Sequence, residues 1–215
     1  MGDKGKIFFG ITAGYNLNKF HGKEISYIFN NSHTNWLSGF HVGLHVETRL
    51  NPFLSFLHEI MYTRRGAGVS IADTLASSYV SRLRTDYVDC FPFNIAFGFR
   101  GFRVYAGPYL SGLLSASLLR KDPAGRSYWD KTIFGTPDNF ETHDKYLQKL
   151  DYGVNAGLTY FSPFGVFVQA RYMHGICDIF QYANSYTLAD SKTDKIRIFH
   201  QNILVSIGYR IPSKK

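Results

Sequence analysis

No stretch of the sequence holds the roughly eighteen consecutive apolar residues that a membrane-crossing helix requires. That excludes a helical span and leaves a strand-built one open, because a barrel strand needs only about ten alternating residues. The start, Met-Gly-Asp-Lys-Gly-Lys, lacks the apolar stretch of a secretion signal. For an exported chain, the expectation is that a signal has been removed and a methionine put in its place. Acidic residues are also scarce: 16 Asp and Glu stand against 24 Lys and Arg, a net charge of +8. Three readings fit such an excess: nucleic acid, anionic lipid or a basic lumen. The cations are scattered rather than gathered on one element, which argues against nucleic acid.

What is abundant is aromatic and small: 19 Phe, 15 Tyr and 20 Gly in 215 residues. At that length the chain reads as a single domain, 1–215. The stretch from Phe91 to Leu119 shows how the aromatics are used. Phe91, Phe93, Ile95, Phe97 and Phe99 share one parity, and Pro92, Asn94, Ala96, Gly98 and Arg100 the other. After Arg100-Gly101, a tight hairpin turn, Val104, Ala106, Pro108, Leu110 and Leu114 alternate with Arg103, Tyr105, Gly107, Tyr109 and Ser111. Period two means strands. The second face is small or polar, suited to a crowded interior, so the bulky face turns outward to lipid.

The same pattern recurs along the chain. Strands are expected near 7–20, 36–50, 54–65, 82–99, 102–119, 149–161, 166–176 and 202–211. Asn51-Pro52, Arg100-Gly101 and Ser162–Gly165 make short turns. Long external loops fall at about 21–35, 66–81, 120–146 and 177–194, and residues 1–5 form a tail. Long and short connections alternate, the rhythm of an eight-stranded antiparallel up-and-down transmembrane β-barrel with short periplasmic turns and both termini in the periplasm. A soluble barrel of the lipocalin kind would place its large apolar residues inside instead.

Inward parity carries Glu47, Arg49, Glu59, Arg65, Arg103, Asp151, Arg171 and Arg210. Eight strands leave an interior just wide enough for side chains, so these charges are expected to pair as a structural network. A small gated pore is the functional alternative. His41, His45 and Glu47 share a face, yet histidines four residues apart on a strand lie about 13 Å apart, too far for one zinc ion. No metal or cofactor is expected. Cys90 and Cys177 fall on strands that are not neighbours in the ring, and two free thiols are expected. A lipid-modifying enzyme would need a nucleophile and base at the outer rim; Ser77, Ser78, Glu141, His143 and His174 supply the residue types, without a spacing that fixes a triad. Tyr128, Trp129, Phe134, Phe140 and Tyr146 lie in the longest loop, where aromatics either form a contact surface or pack together over the barrel mouth.

Three segments carry a resemblance: GFHVGLHVETRLNPFLSFLHEIMYTRRGA at 39–67, FRVYAGPYLSGLLSA at 102–116 and YGVNAGLTYFSPFGVFVQARYMHGI at 152–176. They resemble the Bacteroidota outer-membrane β-barrels called PorT-like, which share the architecture of the OmpA transmembrane domain. VDCFPF at 88–93 departs from that pattern by one extra residue, which predicts a bulge or a shift of register. The resemblance implies an outer-membrane location, contact with outer-membrane lipid and lipopolysaccharide, and no catalytic residue. It further implies a non-enzymatic role through contact with another envelope protein, as an accessory of type IX protein secretion or of outer-membrane assembly.

Overall fold

The computed structural model describes residues 6–22, 25–28, 34–73, 76–122, 124–131, 147–180 and 197–211. Nine strands form one antiparallel sheet: β1 Lys6–His21, β2 Leu37–Arg49, β3 Leu54–Asp73, β4 Ala76–Phe99, β5 Phe102–Lys121, β6 Ser127–Asp130, β7 Leu150–Phe161, β8 Val166–Gly175 and β9 Phe199–Ile211. Eight of them close a ring in the order β1-β2-β3-β4-β5-β7-β8-β9, and β9 pairs back onto β1 from Phe9↔Ile211 to His21↔Phe199. The ninth, β6, only extends the loop end of β5 as a short hairpin. A four-residue helical turn, α1 Ile25–Ile28, follows β1.

Alternation places the side chains. On β7 Tyr152, Val154, Leu158 and Tyr160 are exposed, while Asp151, Asn155 and Thr159 are buried. β9 does the same, with Ile203, Val205, Ile207 and Tyr209 outside and Asn202, Leu204 and Ser206 inside. Inward glycines lie opposite inward rings. Tyr105 pairs with Gly157, where an added Cβ would collide with the Tyr105 hydroxyl; Phe167 pairs with Gly208, where it would collide with the ring. The narrow lumen therefore holds large rings only because the facing strand has no side chain there.

At Arg100-Gly101 both residues have positive φ, 50° and 91°, and Phe99 pairs with Phe102 across the two-residue turn. The Asn51 carboxamide oxygen accepts the amides of Phe53 and Leu54 and closes the β2–β3 turn.

Three features differ from the sequence reading. Phe91, read as sharing the outward face of Phe93, Ile95, Phe97 and Phe99, is fully buried. A bulge is responsible: β3 passes from Leu57↔Asn94 to Glu59↔Phe91, so β4 spends one extra residue there and its parity reverses. The span 66–81, read as a loop, is largely the continuation of β3 and β4, paired out to Asp73↔Ala76. Within 120–146, residues Ser127–Asp130 form β6 rather than irregular chain.

Because the outward face is a continuous apolar band, position along it sets the cost of a charge. Ile207→Arg, mid-strand and 61% exposed, should lower unfolding stability in lipid vesicles by about 2–4 kcal/mol. Phe164→Arg, in the β7–β8 turn and 85% exposed, should cost about 0–1 kcal/mol in the same denaturant titration. Equal costs at the two positions would contradict a lipid-facing band.

Candidate functional site

The lumen holds three ionic layers. At the turn end, buried Glu47 of β2 meets three guanidinium groups: Arg49 at 3.2 Å, Arg210 of β9 at 3.1 Å and Arg103 of β5 at 3.5 Å. The Phe8 ring lies against Arg49 and Arg210, 4.9 and 4.5 Å from its centroid.

In the middle, Glu59 of β3 pairs with Arg171 of β8, and His45 Nδ1 lies 3.0 Å from its other oxygen. Gln169 donates to that same oxygen at 3.4 Å, and Arg171 donates from Nε to the Tyr105 hydroxyl at 3.0 Å. The Phe91 ring covers the Arg171 guanidinium at 3.9 Å.

Toward the loop end, Arg65 bridges Asp89 of β4 and Asp151 of β7, the latter at 2.9 Å, and donates to Ser111 at 3.1 Å. Tyr109 donates to Asp151 at 3.2 Å, and the rings of Tyr87 and Tyr109 flank the guanidinium.

Apolar groups are interleaved with these layers. Leu57, Ala96 and Tyr105 form one small cluster; Met61, Phe91, Tyr109, Met173 and Leu204 form another. Beyond Arg65 the inward residues turn apolar: Phe20, Ile25, Ala67, Val69, Leu83, Ala116, Leu118, Leu147, Ile179, Phe180 and Ile198 make one buried cluster across the loop end.

Glu47, Arg49, Glu59, Arg65, Arg103, Asp151, Arg171 and Arg210 thus all reach the lumen and divide among the three layers. Asp89 was missed, since strict alternation from Phe99 puts it on the greasy parity; the extra residue in VDCFPF was the available signal. His41 bonds the Ser206 hydroxyl at 2.7 Å and His45 serves Glu59, so the two histidines act in separate places. Among the described residues no cluster of His, Cys, Asp or Glu could hold a metal ion.

Cys90 and Cys177 are both free thiols. Burial, reinforced by the carboxylates of Asp151 and Asp178, pushes the Cys177 thiol above its ordinary value.

Of the rim residues, Glu141 and His143 and the side chains of Ser77 and Ser78 lie outside the described residues. His174 is the penultimate residue of β8, with its ring 4.5 Å from that of His21 and its Nδ1 3.4 Å from the Tyr172 hydroxyl, and no serine is bonded to it among the described residues. Tyr128 and Trp129 sit on β6, half exposed and pointing to opposite faces, so they do not pack on one another. Phe134, Phe140 and Tyr146 fall outside the described residues.

A closed ring with an apolar outside and an ion-paired inside matches what the sequence comparison finds: the outer membrane protein beta-barrel domain family covers residues 3–181. The chain belongs to that family. It is therefore a β-barrel of the bacterial outer membrane. Solved structures of the same fold include OprG of Pseudomonas aeruginosa, 10% identical, TM-score 0.50, covering 98% of each chain. Neisserial surface protein A is also similar, 13% identical over 94% of this chain and 97% of its own, TM-score 0.48. Ail, the attachment invasion locus protein of Yersinia pestis, is 13% identical over 97% and 99%, TM-score 0.47. No curated protein sequence matches the chain.

Arg65 is the hub of its layer, holding two buried carboxylates. Arg65→Met leaves both without their cation and should cost about 3–5 kcal/mol, whereas Asp86→Asn on the outer wall should cost about 0–1 kcal/mol. Guanidinium titrations of the refolded barrel measure both; a loss under about 1 kcal/mol for Arg65→Met would mean that the layer is hydrated.

Proposed function

We propose that this barrel is a non-conducting, non-enzymatic component that works from its outside surfaces, through contact with another envelope protein. The observation that carries the reading is the filled lumen: ionic layers separated by apolar clusters and closed at the loop end by the buried group around Phe20, Val69 and Leu118. A water-filled path needs polar walls along its length, and the apolar clusters interrupt them.

The remaining surfaces are the lipid-facing wall, the turns and the loop-end projections. In an up-and-down barrel of this family the short turns and both termini belong in the periplasm and the long connections outside. That orientation puts the β5–β6 hairpin, with Tyr128 and Trp129, on the cell exterior. The PorT-like resemblance suggests that the partner belongs to type IX protein secretion or to outer-membrane assembly.

In planar bilayers the purified barrel should give a flat current trace, and reproducible unitary steps would instead favour a gated pore. Trp129→Ala combined with Phe134→Ala should reduce, several-fold, the partner recovered with the protein from its native membrane in mild detergent. Arg126→Gln, at the tip of the same hairpin, should leave recovery unchanged. Equal recovery from the parent, the double variant and Arg126→Gln would sink the hairpin as the docking surface.

A further inference from the structure

The outer wall changes chemistry along one line. On β3 the outward series runs Ile60, Tyr62, Arg64; on β4 it runs from Val88 to Asp86, Arg84 and Arg82; on β5 it passes from Leu114 to Ser115. Below the line lies the apolar band, and just above it three guanidinium groups crowd onto two adjacent strands. Register places Arg64 opposite Asp86, Arg84 opposite Gly66 and Arg82 opposite Gly68. Asp86 takes Arg64 at 2.8 Å and a hydrogen bond from the Ser115 hydroxyl at 2.8 Å. Among the described residues, no carboxylate is bonded to Arg82 or Arg84. Arg64 lies over the Phe40 ring at 5.3 Å and Arg84 over Trp129 at 4.2 Å. The patch thus carries three cations to one anion.

Like charges this close on a strand face repel, and the neighbouring sheet supplies one carboxylate for three of them. Their height decides what supplies the rest. Tyr62 and the Phe40 ring that Arg64 covers stand at the end of the apolar band, where an outer wall meets headgroups. An anion at that depth, next to apolar wall, is a lipid headgroup rather than a soluble ligand. Guanidinium is the side chain whose fork of donors matches phosphate oxygens.

We propose that Arg64, Arg82 and Arg84 form an outer-wall site for the phosphates of an acylated, phosphorylated glycolipid of the outer leaflet, whose acyl chains lie along Tyr62, Val88 and Leu114. The site rests on the orientation given above, with the loop end outside. Its Arg84 lies against Trp129 of the proposed docking hairpin, so its test varies the arginines and leaves Trp129 in place.

The test titrates the folded barrel in dodecylmaltoside with bisphosphorylated lipid A and reads bound lipid by native mass spectrometry. Arg82→Gln/Arg84→Gln should lose about 25-fold in retained lipid, at roughly fivefold per charge. Arg126→Gln, whose charge is paired with Asp122 away from the patch, should bind as the parent does. Monophosphorylated lipid A should bind more weakly than the bisphosphorylated form. The heat-modifiable shift on gels checks folding, and Arg82→Gln alone, at an exposed residue, should still lose several-fold if the double variant fails to fold.

Undiminished binding by these variants would overturn the site, and so would full displacement by millimolar inorganic phosphate, which would make the ligand a free anion. Labelling of Ala124→Cys on intact cells, above the parent chain, tests orientation separately. Lipid binding without labelling would overturn the outer-leaflet assignment; labelling without lipid binding would overturn the lipid site and keep the orientation.

Discussion

Everything in this molecule follows from the inability of hydrocarbon to bond a peptide group. Within lipid every N–H and C=O must find a partner in the protein, so the sheet has to close on itself. Closure at eight strands leaves room for side chains and little else. Charges that face inward then meet counter-charges, Arg49 the Glu47 of its own strand and the others a partner on another strand. Glu47 of β2 reaches β5 and β9, Glu59 of β3 reaches β8, and Arg65 of β3 reaches β4 and β7. All of these except Arg65–Asp89 tie non-adjacent strands of the ring together, something the backbone ladder alone cannot do.

The ring also outlasts the membrane. β3, β4 and β5 continue past the apolar band with their pairing intact, but the surroundings on the outside change from acyl chains to headgroups and water, and the chemistry inverts with them. Inward, Arg65 gives way to Ala67 and Val69; outward, Tyr62 gives way to Arg64. The loop end is thus built like a small soluble barrel, held by apolar burial. Among the described residues its cluster draws on β1, α1, β3, β4, β5 and the segments flanking β7, β8 and β9, and so ties these together at the loop end.

How much of this could be read from the sequence depended on whether strict alternation held. Along β1, β2, β7, β8 and β9 it does, and there the inward and outward residues, most of the lumen charges among them, are legible directly. It fails at the β4 bulge. Counting back from Phe99 puts Phe91 outside and hides Asp89 on the lipid face, although Asp89 is one of the two carboxylates that Arg65 holds. A single inserted residue near Pro92 is a weak signal against a run of four phenylalanines. The hairpin over 66–81 was hidden for a different reason. Gly, Ala and Ser are what a loop uses, but here they serve a strand whose inner face packs an apolar core, so neither membrane alternation nor turn chemistry describes it.

Charge balance separates two readings that composition left open. At the level of the membrane the lumen sets five arginines, Arg49, Arg65, Arg103, Arg171 and Arg210, against four carboxylates, Glu47, Glu59, Asp89 and Asp151. It is nearly neutral, as an interior crowded with side chains must be, while the chain as a whole carries +8. Almost all of the excess therefore lies outside the lumen, where water or headgroups can solvate it. A basic lumen would have meant selective anion passage. A neutral lumen with a cationic exterior means that the protein's long-range field acts on what surrounds the barrel, and the surroundings of a barrel at its rim are lipid phosphates and the faces of neighbouring proteins.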